Sequence, residues 1–421
     1  MSFQQALSGL NASSQNLDVI GNNVANAQTV GTKASRAEFS DVYANALTQG
    51  GGSAVGIGVQ VQAVTQQFTQ GGITATGNPS DLAINGNGFF EVLGTNGTVN
   101  YTRNGQFQIS KDGNIVTSAG AKLMGYPADN NGTIQPGTSL PLTLPTQGVE
   151  PKVTSQMKME VQLDSTEATT YKGLTPAINF NDATTYNRAT SVTAYDAKGQ
   201  TVALTYYFQK SADDTWNVYA TANGASVSTD GSGNPTPIST VTFSADGKAP
   251  VSPVGPISFD IPSTTNANGA TTLPITGVSL DMSTATQYGE PFAVTNLTQD
   301  GYTAGQVTGL QVDPTGVVLA TYSNGQTKAA GQVELATFRD PQGLKPIGGN
   351  LWSQTVTSGA PIVGTPGSAN MGVLQSGAVE ESNVDLTSEL VNMIVAQRTY
   401  QANAQTIKTI DQVLQTLVSL R

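Results

Sequence analysis

Residues 383–421 read NVDLTSELVNMIVAQRTYQANAQTIKTIDQVLQTLVSLR. Leu386, Leu390, Met393, Gln397, Tyr400, Ala404 and Ile407 alternate spacings of four and three, the rhythm of a heptad stripe. Ile407, Ile410, Leu414 and Leu417 continue it after one extra three-residue step. The spacing predicts a helix from near Asn383 almost to Arg421, about 50 Å long at 1.5 Å per residue, more than a small globular domain needs. Ser382 with Asp385 three residues on resembles a capping box, and Glu389 sits where a helix N-terminus favours negative charge.

The opposite end carries the same pattern. Phe3, Leu7, Leu10, Ser14, Leu17, Gly21 and Val24 fall at spacings of four and three, a seam with two small residues in it. Both stripes require a facing surface, either from each other or from other copies of the chain. On pattern alone, core helices of a monomer and an assembling bundle are equally compatible.

Between the ends the signal is β. Val99-Asn100-Tyr101, Phe107-Gln108-Ile109 and Ile115-Val116 are short alternating runs separated by Asn104-Gly105 and Asp112-Gly113, which predicts a meander. Val192–Ala194 and Val202–Tyr206 flank a turn at Asp196 to Gly199, and Trp216–Tyr219 and Val241–Phe243 follow at hairpin spacing. Composition shifts around Pro141 to Glu150 and again around Ile275 to Gln287, with Ser, Thr, Asn and Pro enriched between them. The expected fold class is therefore mainly antiparallel β middle domains with a nested insertion, and N- and C-terminal α-helices forming a coiled-coil-like layer. The expected divisions are a helical domain of 1–26 with 383–421, connecting segments at 27–70 and 360–382, an inner β domain of 71–145 with 285–359, and an inserted β domain at 146–284. Within the first connector, Thr48 to Gly72 is Gly/Gln-rich and reads as a loose link.

The 421 residues include no histidine and no cysteine, which removes the commonest general base, the commonest zinc ligands, thiol nucleophiles and disulfides. With Lys+Arg 18 against Asp+Glu 29, the net charge of −11 offers no basic field for nucleic acid or an anionic membrane. No stretch reaches the roughly 18 apolar residues of a membrane span, and the N-terminus lacks the basic and apolar regions of a signal peptide. Asn85-Gly86-Asn87-Gly88 lacks the lysine of a phosphate loop and reads as a turn. Asp129-Asn130-Asn131-Gly132 and Thr229-Asp230-Gly231-Ser232 lack the alternating ligands and terminal Glu of a calcium loop. Glu380, Glu381, Asp385 and Glu389 could pair for glycoside chemistry, but helix capping accounts for them more simply. No catalytic residue, cofactor site or metal site is expected.

Specific motifs decide more. GLNASSQNLDVIGNNVANAQTVGTK at 9–33, with Asn22, Asn23 and Asn26, resembles the N-terminal signature of the axial proteins of the bacterial flagellum. GAVEESNVDLTSELVNMIVAQRTYQANAQTIKTIDQVLQTLVSLR at 377–421 resembles the matching C-terminal signature, including Asn383, Val384, Asp385, Gln397 and Arg398. Thr32 departs from the aromatic residue that the family usually places before the lysine. Residues 69–92 and 101–126 are similar to the β region shared by hook and distal-rod proteins, and 292–352 to hook proteins in particular. The resemblance implies a subunit of a helical tubular homo-polymer, a flexible joint carrying torque from rod to filament. It also implies an extracellular place in the flagellum, export without a cleaved signal peptide through the flagellar type III apparatus, and neighbours among distal rod protein, hook cap and hook–filament junction proteins. The terminal helices would line the inside of the tube, with Phe3, Leu7, Leu10, Leu17, Val24, Leu386, Leu390, Met393, Tyr400, Ile407, Ile410, Leu414 and Leu417 as the polymerisation interface. A distal-rod or other axial protein, and a secreted β-rich adhesin or glycosidase, are the alternatives.

Overall fold

The computed structural model describes residues 3–42, 56, 58–129, 132–145, 147–173 and 175–419. It divides the chain into two compact units, Met1–Thr146 with Thr308–Thr321 and Thr327–Arg421, and Gln147–Val307 with Tyr322–Gln326.

In the first unit, helix α1 (Phe3–Ala25) packs on helix α2 (Leu386–Ser419) and on a hairpin of strands Ser35–Val42 and Gly58–Gln66. The helices run antiparallel, because Gly9 meets Asn403 while Asn23 meets Glu389. α2 begins later than the expected Asn383. Asp385 is its cap, its Oδ1 accepting from the backbone N–H of Thr387 at 2.9 Å, so the Ser382 box does not form. The hairpin occupies much of what the sequence suggests is a connector. Residues 43–55 and 57, within the Gly/Gln-rich stretch, lie outside the described residues.

The chain ends then run side by side. Ile73–Ala75 pairs with Ala378–Glu380, and Leu82–Asn85 with Val373–Ser376, both antiparallel. Everything between is held by this double clasp. A branched 13-stranded sheet follows, in which Phe89–Leu93 pairs with Val99–Thr102 and Lys122–Pro127, and Thr327–Val333 with Lys122–Pro127. Its two faces hold different cores. Leu82, Ile84, Phe90, Val92, Phe107 and Leu123 fill one. An aromatic group fills the other, where Phe89, Trp352 and Phe68 meet edge to face with centroids 5.5–5.7 Å apart, and Tyr101 meets Phe338 at 4.7 Å.

The predicted meander forms only in part. Phe107–Ile109 and Ile115–Thr117 pair around Asp112-Gly113, but Val99–Thr102 pairs with Phe89–Leu93 and Leu351–Ser353 instead of with Phe107–Ile109. At Asn104-Gly105 the backbone turns inward, and the Gly105 carbonyl accepts from the Leu82 N–H at 2.9 Å.

The second unit is two sheets around one core. Strands Arg188–Tyr195, Thr201–Ala212, Thr215–Ala222, Ser239–Phe243 and Pro250–Ser252 form successive antiparallel pairs, as the hairpin spacing predicts. In the other sheet, Gln156–Asp164 is central. It runs parallel to Ile275–Asp281 and Thr286–Tyr288 and antiparallel to Ala293–Gln299. These last two strands lie beyond the expected border at Thr284, and their pairing to Gln156–Asp164 carries the unit on to Val307. Alternate residues Met157, Met159, Val161 and Leu163 meet Val202, Leu204, Tyr206 and Phe208 in the core, the period of two that a strand imposes. Trp216 is fully buried, and its indole N–H donates to Gln287 Oε1 at 3.0 Å. Asp196, also buried, receives the backbone N–H groups of Lys198, Gln200 and Leu273 and so fixes the predicted turn.

A Cβ at Gly105 would run into the Leu82 carbonyl oxygen, a backbone atom that cannot give way, whereas one at Gly231 would meet open space. Gly105→Ala is expected to destabilise the first unit by about 2 kcal/mol or more, and Gly231→Ala to be near neutral. Equal urea midpoints for the two variants would contradict this packing.

Candidate functional site

The two helices present two different faces. On α1 the buried residues are Ala6, Ala12, Ser13, Ile20 and Asn23. They pack against the hairpin and against the α2 side that carries Glu389, Asn392, Ala396, Thr399 and Asn403, leaving a groove of about 460 Å³ between them. This seam is made of small and amide side chains. Gly9 lies so near Asn403 that a Cβ there would sit 2.9 Å from its Nδ2. Ser13 Oγ, inside the helix, turns back to the Gly9 carbonyl at 2.7 Å.

The predicted stripes lie elsewhere. Phe3 and Leu7 are exposed, and Leu10, Leu17 and Val24 are half-buried, on a face of α1 turned away from the seam. On α2 the stripe runs along one flank of the α1-facing side. Leu386, Leu390, Tyr400 and Leu414 are exposed, while Met393, Ile407 and Ile410 are half-buried. The Leu417 side chain lies outside the described residues. Val391, Ile394, Val395, Val413 and Val418 extend the exposed apolar surface, and Ala396 is the only residue of α2 that is buried among those described. Sequence reasoning followed the large apolar residues; the close packing of α1 on α2 uses small ones. The signal for it was the Ala6, Gly9, Ala12, Ser13 spacing.

The family-signature residues hold this arrangement in place. Asn23 is buried; its Oδ1 accepts from the Ser35 N–H at 2.8 Å, and its Nδ2 donates to the Ser35 carbonyl at 2.7 Å and to Glu389 Oε1 at 3.1 Å. Asn383 does the same across the chain ends, accepting from the Ala34 N–H at 2.7 Å and donating to the Gln67 carbonyl at 2.7 Å. Each amide thus caps otherwise unpaired backbone in the hairpin. Asn26 Nδ2 donates to the Asn22 carbonyl at 2.9 Å as α1 ends. Val384 is half-buried, and Gln397 and Arg398 are exposed on α2. Thr32 Oγ1 donates to Asn350 Oδ1 at 3.2 Å. Asp385, fed by Ser388 and Thr387, is held below the usual carboxylate range.

The deepest group is Glu380. The sequence suggests that it serves the helix N-terminus, as it does for Glu381 and Glu389; Glu389 does stand in the first turn of α2, but the structure corrects this for Glu380 and Glu381. Glu389 binds Asn23, Glu381 Oε1 accepts from Thr74 Oγ1 at 2.7 Å, and Glu380 is fully buried. Glu380 Oε1 takes Lys33 Nζ at 2.6 Å and the Gly71 N–H at 3.0 Å, while Oε2 takes Arg103 Nη1 at 3.0 Å. Lys33 also donates to the Thr69 carbonyl at 2.7 Å. Arg103 donates to the Gly86 carbonyl at 2.9 Å and lies over the Phe89 ring at 5.4 Å. Asn85 ends strand Leu82–Asn85 and residues 86–88 form a bend rather than a hydrogen-bonded turn, with Gly86 at φ 116° and Gly88 at φ 124°. Burial pulls Lys33 and Arg103 below their ordinary ranges, against the opposing pull of Glu380.

No group of three or more acidic residues among those described could hold a metal. Asp230 instead receives the backbone N–H groups of Ser232 and Asn234 in a plain turn; Asn130 and Asn131 lie outside the described residues. No described helix is long and apolar enough to cross a membrane.

Four family models match the chain. They are the flagella basal body rod protein (residues 3–33), the flagellar hook protein FlgE/F/G D1 domain (83–161), the flagellar basal body protein FlaE D2 domain (162–302) and the flagellar basal body rod FlgEFG protein C-terminal (375–420). The flagellar hook protein FlgE of Salmonella typhimurium is 42% identical over 423 residues, and that of Escherichia coli K12 is 42% identical over 427, each covering 100% of both chains. Among solved structures, the Helicobacter pylori flagellar hook protein FlgE2 has the same fold at a TM-score of 0.50 and 16% identity, covering 72% of this chain and 99% of that one.

Removing the Glu380 charge leaves two buried cations without their counter-ion. Glu380→Gln is expected to cost the first unit about 3–5 kcal/mol. The second unit, whose core is separate, should keep its unfolding transition. Calorimetry that resolves the two transitions checks this, and an unchanged first transition would contradict the role given to Glu380.

Proposed function

The chain belongs to the flagellar hook protein family, and on that premise we propose that it is the structural subunit of the hook, a tubular joint that carries torque from rod to filament. The observation that carries the proposal is the apolar surface left on the terminal helices. A 34-residue helix with one buried residue among those described would be a poor monomer element. Isolated helices are marginal in water, and their stability comes from packing an apolar face. Covering the part of each stripe leucine that stays exposed, about half of the side chain, contributes on the order of 1 kcal/mol. The stripe of Leu386, Leu390, Met393, Tyr400, Ile407, Ile410 and Leu414, with Phe3 and Leu7 of α1, is therefore the surface on which other copies pack.

The role is structural rather than catalytic. The subunit works outside the cell in the flagellum, reached through the flagellar type III export apparatus without a cleaved signal peptide. Its neighbours at the two ends of the polymer are the distal rod protein and the hook cap or hook–filament junction proteins. Only 11% of residues are charged, so few ion pairs lock one register between copies, which suits a joint whose contacts shift as it bends.

Leu390 is 49% exposed, so Leu390→Asp is expected to change monomer stability by about 0.5 kcal/mol or less. The same variant should lose polymerisation, because a carboxylate would have to be buried between helices. Gln405→Asp, exposed on α2 away from the stripe, should still assemble. Sedimentation and electron microscopy after salt-induced assembly check both. Normal polymer from Leu390→Asp would rule out the stripe as the interface.

A further inference from the structure

Two buried acids in the first unit make no ion pair with any described residue. Glu334 is fully buried and Glu91 is 8% exposed. Strand Phe89–Leu93 pairs with Leu335–Thr337 through Phe90↔Leu335 and Phe89↔Ala336, and this register, continued by one residue, brings Glu334, in the link between Val333 and Leu335, beside Glu91. By strand alternation both sit on the face that carries Phe89, Tyr101 and Ala336, away from Phe90, Val92 and Leu335. The sheet also branches here. Phe89–Leu93 changes partner from Leu335–Thr337 to Lys122–Pro127 between Phe90 and Val92. The other chain segment leaves Lys122–Pro127 at Val333 and joins Phe89–Leu93 at Leu335. The two glutamates occupy the position where three strands meet.

Their bonding is incomplete. The Ser139 hydroxyl donates to Glu334 Oε1, but Glu334 Oε2 and Glu91 Oε2 each lack a hydrogen-bond partner. Glu334 stands close enough to act as a like charge on Glu91, so two ionised carboxylates here would repel across a dry interior. The other titratable groups facing the pair are Tyr101, opposite Glu91 on Val99–Thr102, and Tyr126 on Lys122–Pro127. Burial pushes both phenols upward, so they stay neutral. No described lysine or arginine pairs with either carboxyl; burial, reinforced by Glu334, pushes Glu91 up to about 7, and burial raises Glu334 despite the Ser139 bond.

We propose that Glu91 and Glu334 bind one proton between them in the folded chain, one carboxyl donating to the free Oε2 of the other, and that this proton holds the three-strand junction together. One hydrogen satisfies both free oxygens and removes the like-charge repulsion. The pair titrates as a unit, so the proton belongs to neither residue alone. In the unfolded chain both glutamates titrate near their ordinary value of about 4.3. The folded pair holds its proton to higher pH, so folding takes up a proton in the interval. The pair's effect on stability is therefore most favourable below the ordinary glutamate range, declines as pH rises toward about 7, and is flat above.

The test uses the full-length chain as dilute monomer. Between pH 5 and 7.5, the first-unit Tm of the wild type should fall by roughly 5 °C relative to Glu91→Gln, which keeps a donor but cannot titrate. Infrared spectra of the wild type at pH 6 should show the carbonyl band of a protonated carboxylic acid, absent from Glu91→Gln and lost above pH 8. This second measurement needs no variant to fold, because absence of the band from the wild type alone would overturn the proposal. An identical Tm–pH profile in wild type and Glu91→Gln would also overturn it. So would a wild-type Tm raised by calcium or magnesium chloride with no such band, since the pair would then hold a cation instead of a proton.

Discussion

The first unit depends on one carboxylate that has no access to water. Glu380 collects Lys33, the Gly71 N–H and Arg103, and its own carbonyl accepts from the Gly31 N–H at 2.8 Å. These partners come from the end of the N-terminal signature, from the segment leading into the clasp and from the first β region. Bringing them together fixes where the chain enters the β structure and where it leaves for α2. A buried ion pair adds little net stability, because desolvation offsets attraction. Its effect is on specificity: any closure of the ends that leaves one of these charges unpaired is costly.

From that anchor the helices follow. Asn383 is three residues beyond Glu380 and Asn23 ten residues before Lys33, and each holds hairpin backbone while bridging the N- and C-terminal segments. α1 then lies antiparallel on α2 through small residues, which brings the backbones close and turns the leucine stripes outward. The same pair of helices thus satisfies itself on one face and leaves large apolar side chains exposed on another.

The unit also handles buried acid in two ways. Glu380 is neutralised by fixed cations, while Glu91 and Glu334 lie near each other with no ion pair among the described residues. The difference follows from position. Glu380 lies where chain segments converge and long basic side chains can reach it, whereas Glu91 stands in a paired strand and Glu334 in the link between two strands, with tyrosines and a serine as neighbours.

Periodicity alone disclosed the two helices, the hairpins of the second unit and the turn at Asp112-Gly113, because each is set by local spacing. The missing His and Cys excluded most catalytic chemistry without any structure, and the motifs at both ends pointed to the family. The hairpin at Ser35–Gln66 was not legible, since its alternation of Val with Gln and Ala resembles a polar link. Nor was the end of the second unit at Val307, which is set by pairing with Gln156–Asp164 far away in sequence. The sequence could not separate the seam of small residues from the stripe of large ones, because both repeat at the helical period. Which face turns inward is decided by how closely two backbones approach. Glu380 read as a capping residue for the same reason: sequence shows its neighbours along the chain, while its charge is balanced by residues 347 and 277 positions away that only the tertiary fold brings within reach.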